Sequence, residues 1–243
     1  MDLSCKNVLI TGGGSGTGEA VALSFAKEGA RVAITGRREE RLLAVQAQWK
    51  GDAPILYKAA DVSNRDDVSA LFAWFDEELG PVDILVNSAG INIPDRKMDV
   101  LTPEGWDKII AINATGAFNT IHAALPQMRE RKDGVIVNIS SVAGVRASVL
   151  GGVAYSAAKF AMSALGLTVN LEENKNGIRI TNIYPGEINT PILDDRPVPV
   201  SDEHKAQILQ AEDVAAAVLL VSKLHPRANV PELVIKPTSQ PYA

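Results

Sequence analysis

Cysteine is nearly absent from this chain of 243 residues: Cys5 stands alone, so no disulfide can close within it, and it reads as a small residue leading into the first strand. Histidine is almost as scarce. His122, His204 and His225 lie far apart and match no ligand spacing, which argues against a metal centre. Long charge runs are missing too. The 24 basic and 29 acidic residues spread evenly to a net charge of -5, leaving no basic patch for nucleic acid or an anionic membrane. No apolar run approaches the length of a membrane span, and the chain starts without a charged-then-apolar leader. With 46% hydrophobic residues, the expectation is one domain over residues 1–243, cytoplasmic, with a small-molecule partner.

What is present is an alternation of short apolar runs and helical patterns. Residues 7–10, 31–35, 55–57, 84–86, 135–139, 178–183 and 232–235 read as seven strands. Because these runs are continuous rather than alternating, the strands are expected to be buried on both faces. Strand-helix alternation then implies right-handed crossovers and a parallel sheet with helices on each side. The irregular stretch is 191–200, where Pro191, Pro197 and Pro199 mark a loop, taken here as part of a substrate loop over about 187–210.

The first strand runs into Thr11-Gly12-Gly13-Gly14-Ser15-Gly16-Thr17-Gly18 and then a helix. A chain that turns sharply and lets a pyrophosphate reach main-chain N–H groups needs positions without Cβ, and the helix N-terminus supplies donors and the positive dipole end. A flexible turn is the competing reading, weakened by the strand before and the helix after. The expected fold is therefore α/β, a doubly wound Rossmann fold with a seven-stranded parallel sheet. After the second strand comes Thr35-Gly36-Arg37-Arg38, with no acid before Glu39. Arginine grips a phosphate where a carboxylate would hold ribose hydroxyls, so Arg37 and Arg38 favour NADP over NAD. Asp61 and Val62 after the third strand, and Asn87, Ala89 and Gly90 after the fourth, sit at strand ends where the ligand crevice of such a sheet lies. Asp61 reads equally as a cap for the helix near Asp66, and Asn87 as a tie for a turn. Thr102 and Pro103 mark a helix start, and Asn113 falls within that helix as a core amide or a site residue.

Tyr155 and Lys159, at i and i+4, project from one helix face. A cation beside a phenol favours the phenolate, bringing tyrosine toward use as an acid or base near neutral pH. The fifth strand ends in Ser140-Ser141, and neither lies in a Gly-x-Ser-x-Gly elbow. The helix that begins at Tyr155 is apolar on nearly all sides, so one flank calls for a cover beyond the sheet, such as a second subunit.

These residues resemble the short-chain dehydrogenase/reductase family over residues 6–236: Thr11-Gly12-x-x-x-Gly16-x-Gly18, Asn87-Ser88-Ala89-Gly90, the set Asn113, Ser141, Tyr155 and Lys159, and Pro185-Gly186 with Thr190. The resemblance implies a dinucleotide held by Gly12, Ser15, Gly16, Thr17 and Gly18, with Pro185, Gly186, Ile188 and Thr190 against the nicotinamide. It implies that Tyr155 exchanges a proton with the substrate oxygen. Lys159 would lower the tyrosine's pKa and bind the nicotinamide ribose, Ser141 would polarise the substrate oxygen, and Asn113 would support a water relay. Ser140 is the alternative serine. A homo-oligomer, dimer or homotetramer, is expected. The pocket walls are expected at 91–94, 142–152 and 187–200, with Arg146 and Arg196 read as surface charges rather than anion ligands. A 3-oxoacyl thioester reductase, a 3-hydroxy acid dehydrogenase and a non-catalytic NADP-binding sensor are the specific alternatives.

Overall fold

The computed structural model describes residues 1–4 and 6–240, so Cys5 and the last three residues of the tail lie outside the description. Seven strands form one parallel sheet: β1 (Asn7–Thr11), β2 (Arg31–Gly36), β3 (Leu56–Ala59), β4 (Ile84–Asn87), β5 (Gly134–Ile139), β6 (Ile178–Pro185) and β9 (Glu232–Ile235), in the order β3-β2-β1-β4-β5-β6-β9. The reversal of order falls between β1 and β4, which opens the crevice where the glycine-rich turn follows β1. The third strand begins one residue later than its apolar run suggests, because its pairing with β2 starts at Leu56 opposite Ala33.

Each central strand is buried along its whole length, and its alternate side chains feed two separate cores. Val8 and Ile10 face Val21 and Phe25 of α1 (Gly16–Lys27) together with Val214 and Val218 of α8 (Ala211–Lys223). Leu9 faces the other way, toward Leu71 and Phe75 of α3 (Arg65–Leu79) and Ile121 and Leu125 of α5 (Gly116–Arg131). This two-sided burial is why the strands read as unbroken apolar runs. Each fully buried Phe or Leu contributes roughly 1.5–3 kcal/mol.

Between β2 and β3 lies α2 (Glu39–Gln48). Asn64, not Asp61, caps α3, accepting from Asp66 N and Asp67 N. Asp61 instead turns its carboxylate on Ser63, accepting from its N–H and hydroxyl at 2.9 and 2.7 Å. Thr102 caps α4 (Pro103–Ile110) with Pro103 in its first turn, as the residue types require. A π-turn over Ala111–Thr115 joins α4 to α5, and α6 (Val153–Glu173) carries the tyrosine and lysine in its first two turns. On the outer side of α6, Phe160 is 42% and Leu171 73% exposed, the stripe for which a covering subunit was expected. The segment after β6 is more ordered than a plain loop: Ile188–Asn189 (β7) pairs in parallel with Leu209–Gln210 (β8), and α7 (Asp202–Gln207) lies between them. Among the described residues no helix is long and apolar enough to cross a membrane.

Candidate active site

The crevice lies over the C-terminal ends of β1, β4, β5 and β6 and has a volume of about 610 Å³. Its floor is the turn after β1. Gly12 has φ +67° and its missing Cβ would sit 2.8 Å from the backbone of Ala89, so the two loops touch only because no side chain intervenes. Gly18 faces away from the crevice. A Cβ there would lie 2.3 Å from the Gly12 carbonyl, so its part is to let α1 pack onto the turn. Ser15, Gly16 and Thr17 line the crevice at the N-terminus of α1, where free N–H groups and the positive dipole end favour an anion. Thr11 holds the opposite lip: its hydroxyl accepts from Ser88 N and Ala89 N, both at 3.1 Å. This cradle of bare backbone fits a dinucleotide pyrophosphate.

Arg37 and Arg38 stand exposed on the crevice rim after β2. Arg41, in the first turn of α2, joins them. Asp61, Val62, Ala89 and Gly90 line the adjoining wall, and Pro185, Gly186, Ile188 and Thr190 the wall after β6. Gln240 folds back over this wall, accepting from Glu187 N at 3.2 Å, a contact with no signature in the sequence.

Asn87 does not face the crevice. It is 2% exposed and belongs to a buried chain of amides: Thr120 Oγ1 donates to Asn87 Oδ1 at 2.6 Å, Asn87 Nδ2 to Asn138 Oδ1 at 3.0 Å, Asn138 Nδ2 to Asn182 Oδ1 at 3.0 Å, and Asn182 Nδ2 to Ser163 O at 2.9 Å. Asn87, Asn138 and Asn182 are direct register partners in β4, β5 and β6, so one row of amides ties the sheet together beneath the site. Asn113 is also buried and turned inward. Its amide clasps Ile91 from both sides, accepting from the N–H and donating to the carbonyl at 2.8 Å each.

Ser141, Tyr155 and Lys159 converge in the crevice. Ser141 caps the short 3-10 turn Val142–Gly144 by accepting from Ala143 N. Ser140 is turned the other way, bonded to Lys159 O and Ser163 Oγ in the packing under α6, which separates the two serines. Lys159 Nζ donates to Ile139 O at 2.8 Å and lies 5.6 Å from the centre of the Tyr155 ring. Burial lowers the Lys159 ammonium to about 8. Burial also raises the Tyr155 phenol, opposed by a hydrogen bond with Ser141 and the charge of Arg96.

The shift on Lys159 has a consequence for stability. Between about pH 8 and the ordinary lysine value of 10.5 the unfolded chain holds a proton that the folded chain has released. The free energy of unfolding therefore rises with pH in that window, by at most about 1.4 kcal/mol per unit. The raised Tyr155 acts in the opposite sense only above its ordinary value of 10. Urea melts of the free chain from pH 7 to 10 should show the rise and Lys159→Met should flatten it. Parallel profiles for the two would contradict the assignment.

Two charged features carried no motif. Arg96 is 6% exposed and donates to the carbonyls of Ile93, Leu150 and Asp195, from three different loops. Arg196, expected at the surface, is instead ion-paired at 2.6 Å with Glu187, which also meets His204 at 2.9 Å. Both side chains of the Arg196 pair are mostly buried, so the pair fastens the post-β6 segment to itself. Arg146 is exposed on the loop after β5.

Comparison with known proteins agrees with this geometry. The family model for short chain dehydrogenase matches residues 6–198. An uncharacterized oxidoreductase of Staphylococcus aureus strain MW2 is 34% identical over 235 residues, covering 97% of this chain and 98% of its own. The closed form of serine dehydrogenase complexed with NADP+ superposes with a TM-score of 0.88 at 32% identity, covering 98% of this chain and 97% of that one. A 3-ketoacyl-(acyl-carrier-protein) reductase from Brucella melitensis complexed with NADH gives 0.85 at 29% identity, covering 96% and 98%. A glycine-floored crevice at the sheet's switch point, a serine, tyrosine and lysine meeting inside it, and a family match over most of the length place this chain in the short-chain dehydrogenase family of oxidoreductases.

Proposed function

We propose that this protein is an NADP(H)-dependent oxidoreductase that interconverts a carbonyl and the corresponding alcohol, with Tyr155 as general acid and base. The observation that carries this reading is the meeting of Ser141, Tyr155 and Lys159 against the cradle formed by residues 12–17. The nicotinamide, when bound, supplies the hydride in reduction and accepts it in oxidation. The protein's own residues handle the proton and the geometry. Ser141 lies beside the phenol and favours its charged form, so a substrate oxygen placed between the two hydroxyls is held and polarised by both. Lys159 spends one N–H on Ile139 O and keeps the others for the ribose and the phenol. Asn113 is a positioning residue: by clasping Ile91 it fixes the loop that follows Gly90.

Preference for NADP rests on Arg37, Arg38 and Arg41 at the crevice rim, and on the lack of a carboxylate at the end of β2. A ligand that binds only the native state raises its stability in proportion to RT ln(1 + [L]/Kd). At equal concentration NADPH should stabilise the chain against heat more than NADH, by about 1.4 kcal/mol for each tenfold in affinity. Arg37→Asp should reverse the order. Equal or greater stabilisation of the unaltered chain by NADH would sink the NADP assignment without touching the reaction class.

A further inference from the structure

Beside the crevice lies a second pocket of about 660 Å³, walled by Val149, Leu150 and residues 197–200. Val149 and Val198 are 84% and 74% exposed, so the pocket presents apolar surface that the fold itself leaves uncovered. Arg96, Lys97, Arg196, Ser201 and His204 complete its lining, and among the described residues no carboxylate does. Arg96, Leu150 and Arg196 line both this pocket and the catalytic crevice, so the two spaces share a wall.

Arg96 is the unusual member. Its charge is nearly buried, yet among the described residues it forms no ion pair, and its partners are three main-chain carbonyls. Of the five N–H bonds of a guanidinium, those contacts use three. A buried cation without a counter-charge is costly. Burial and the neighbouring Arg196 hold it below the ordinary arginine range, outweighing Asp195 and Tyr155. Arg196 and His204 both meet Glu187, and Lys97 is exposed to solvent, so Arg96 is the buried cation of this lining without an ion pair among the described residues. It is also next to the chemistry: its carbonyl accepts from Val153 N in the first turn of α6, the turn that carries Tyr155.

We propose that the substrate is an aliphatic oxo acid or hydroxy acid, its carboxylate paired with Arg96 and its hydrocarbon chain lodged against Val149, Leu150 and residues 197–200. This rests on the oxidoreductase reading above and adds to it a substrate class with two separable requirements, charge and chain. A carboxylate meets the spare donors of Arg96, where a neutral carbonyl compound would leave the cation uncompensated. The apolar walls contribute per buried methylene, so affinity grows with chain length until the pocket is filled.

The test compares 2-oxo- and 3-oxooctanoate with their methyl esters and with the matching four-carbon acids, using NADPH and following its absorbance. Binding is read separately, as thermal stabilisation of the NADP-loaded chain by octanoate and by 1-octanol. The expected result is that at least one eight-carbon acid exceeds its ester about tenfold or more in kcat/KM, and that octanoate stabilises where octanol does not. Arg96→Gln should lower the preferred acid about a hundredfold while its ester changes less than about threefold. Since Arg96 also joins three loops, Val198→Asp serves as a second variant: it should lower the eight-carbon acid about tenfold and leave the four-carbon acid within about twofold. Esters turned over as well as acids, or Arg96→Gln lowering both alike, would overturn the substrate class while leaving the oxidoreductase reading in place. If every carbonyl tested is inert while octanoate still stabilises the chain in an Arg96-dependent way, the reaction class fails and the anion site stands. Inert carbonyls with no effect of octanoate would overturn the anion site as well.

Discussion

Tyr155→Phe is expected to lower kcat by about 10²–10⁴-fold toward any carbonyl the protein reduces, the usual worth of a positioned proton donor. Stabilisation of the chain by NADPH should stay close to that of the unaltered protein. The phenol ring is half-buried at the start of α6, and removing its oxygen keeps the ring and its place beside Lys159 while deleting the hydroxyl proposed to pass a proton to the substrate oxygen. Ser141→Ala should fall in the same direction but less, since the tyrosine remains. Ser140→Ala should act on stability rather than on turnover, because its hydroxyl is spent on Lys159 O and Ser163 Oγ. Turnover of the phenylalanine variant within tenfold of the unaltered rate would remove Tyr155 from the mechanism.

Asn138→Ala should be among the most damaging substitutions outside the crevice. It deletes the middle of the amide row, leaving Asn87 Nδ2 and Asn182 Oδ1 buried without the partner each now has. A buried polar group stripped of its partner costs about 1–3 kcal/mol, so the loss for the two groups should total about 2–6 kcal/mol in urea unfolding. Because Asn182 is the neighbour left unpaired, adding Asn182→Ala should cost less on top of Asn138→Ala than it does alone. A loss under about 1 kcal/mol, or strict additivity of the two changes, would show that the row contributes little. The row also ties β4, β5 and β6 together below Ala89 and Ser141, so the variant should bind NADPH more weakly at equal folded fraction.

Much of the architecture was legible because it is local or periodic. Apolar runs such as Val135-Ile136-Val137, in the strand read over residues 135–139, identify strands buried on both faces, and glycine at positions 12, 16 and 18 identifies a turn that backbone must approach closely. Thr102 before Pro103 announces α4 by its capping chemistry alone. The family resemblance likewise picked out Ser141, Tyr155 and Lys159, which the structure brings into one crevice. The direction in which a polar side chain points was not legible, because it depends on neighbours far along the chain. Asn87 looks like a crevice residue from its position at a strand end and proves to be a rung in a row whose other members are 51 and 95 residues away in sequence, in register only once the sheet has formed.

By itself, then, the sequence determined the sheet, the glycine turn after β1 and the placing of Tyr155 and Lys159 on one helix face, since these follow from backbone sterics, hydrophobic period and helical spacing. Tertiary structure alone decided the rest. It turned Ser140 under α6 and Ser141 into the crevice, paired Arg196 with Glu187 across a fold of the post-β6 segment, and buried Arg96 at the junction of three loops. Those outcomes depend on which long-range partners neutralise or satisfy each polar group, and that is settled only when the loops are packed against one another.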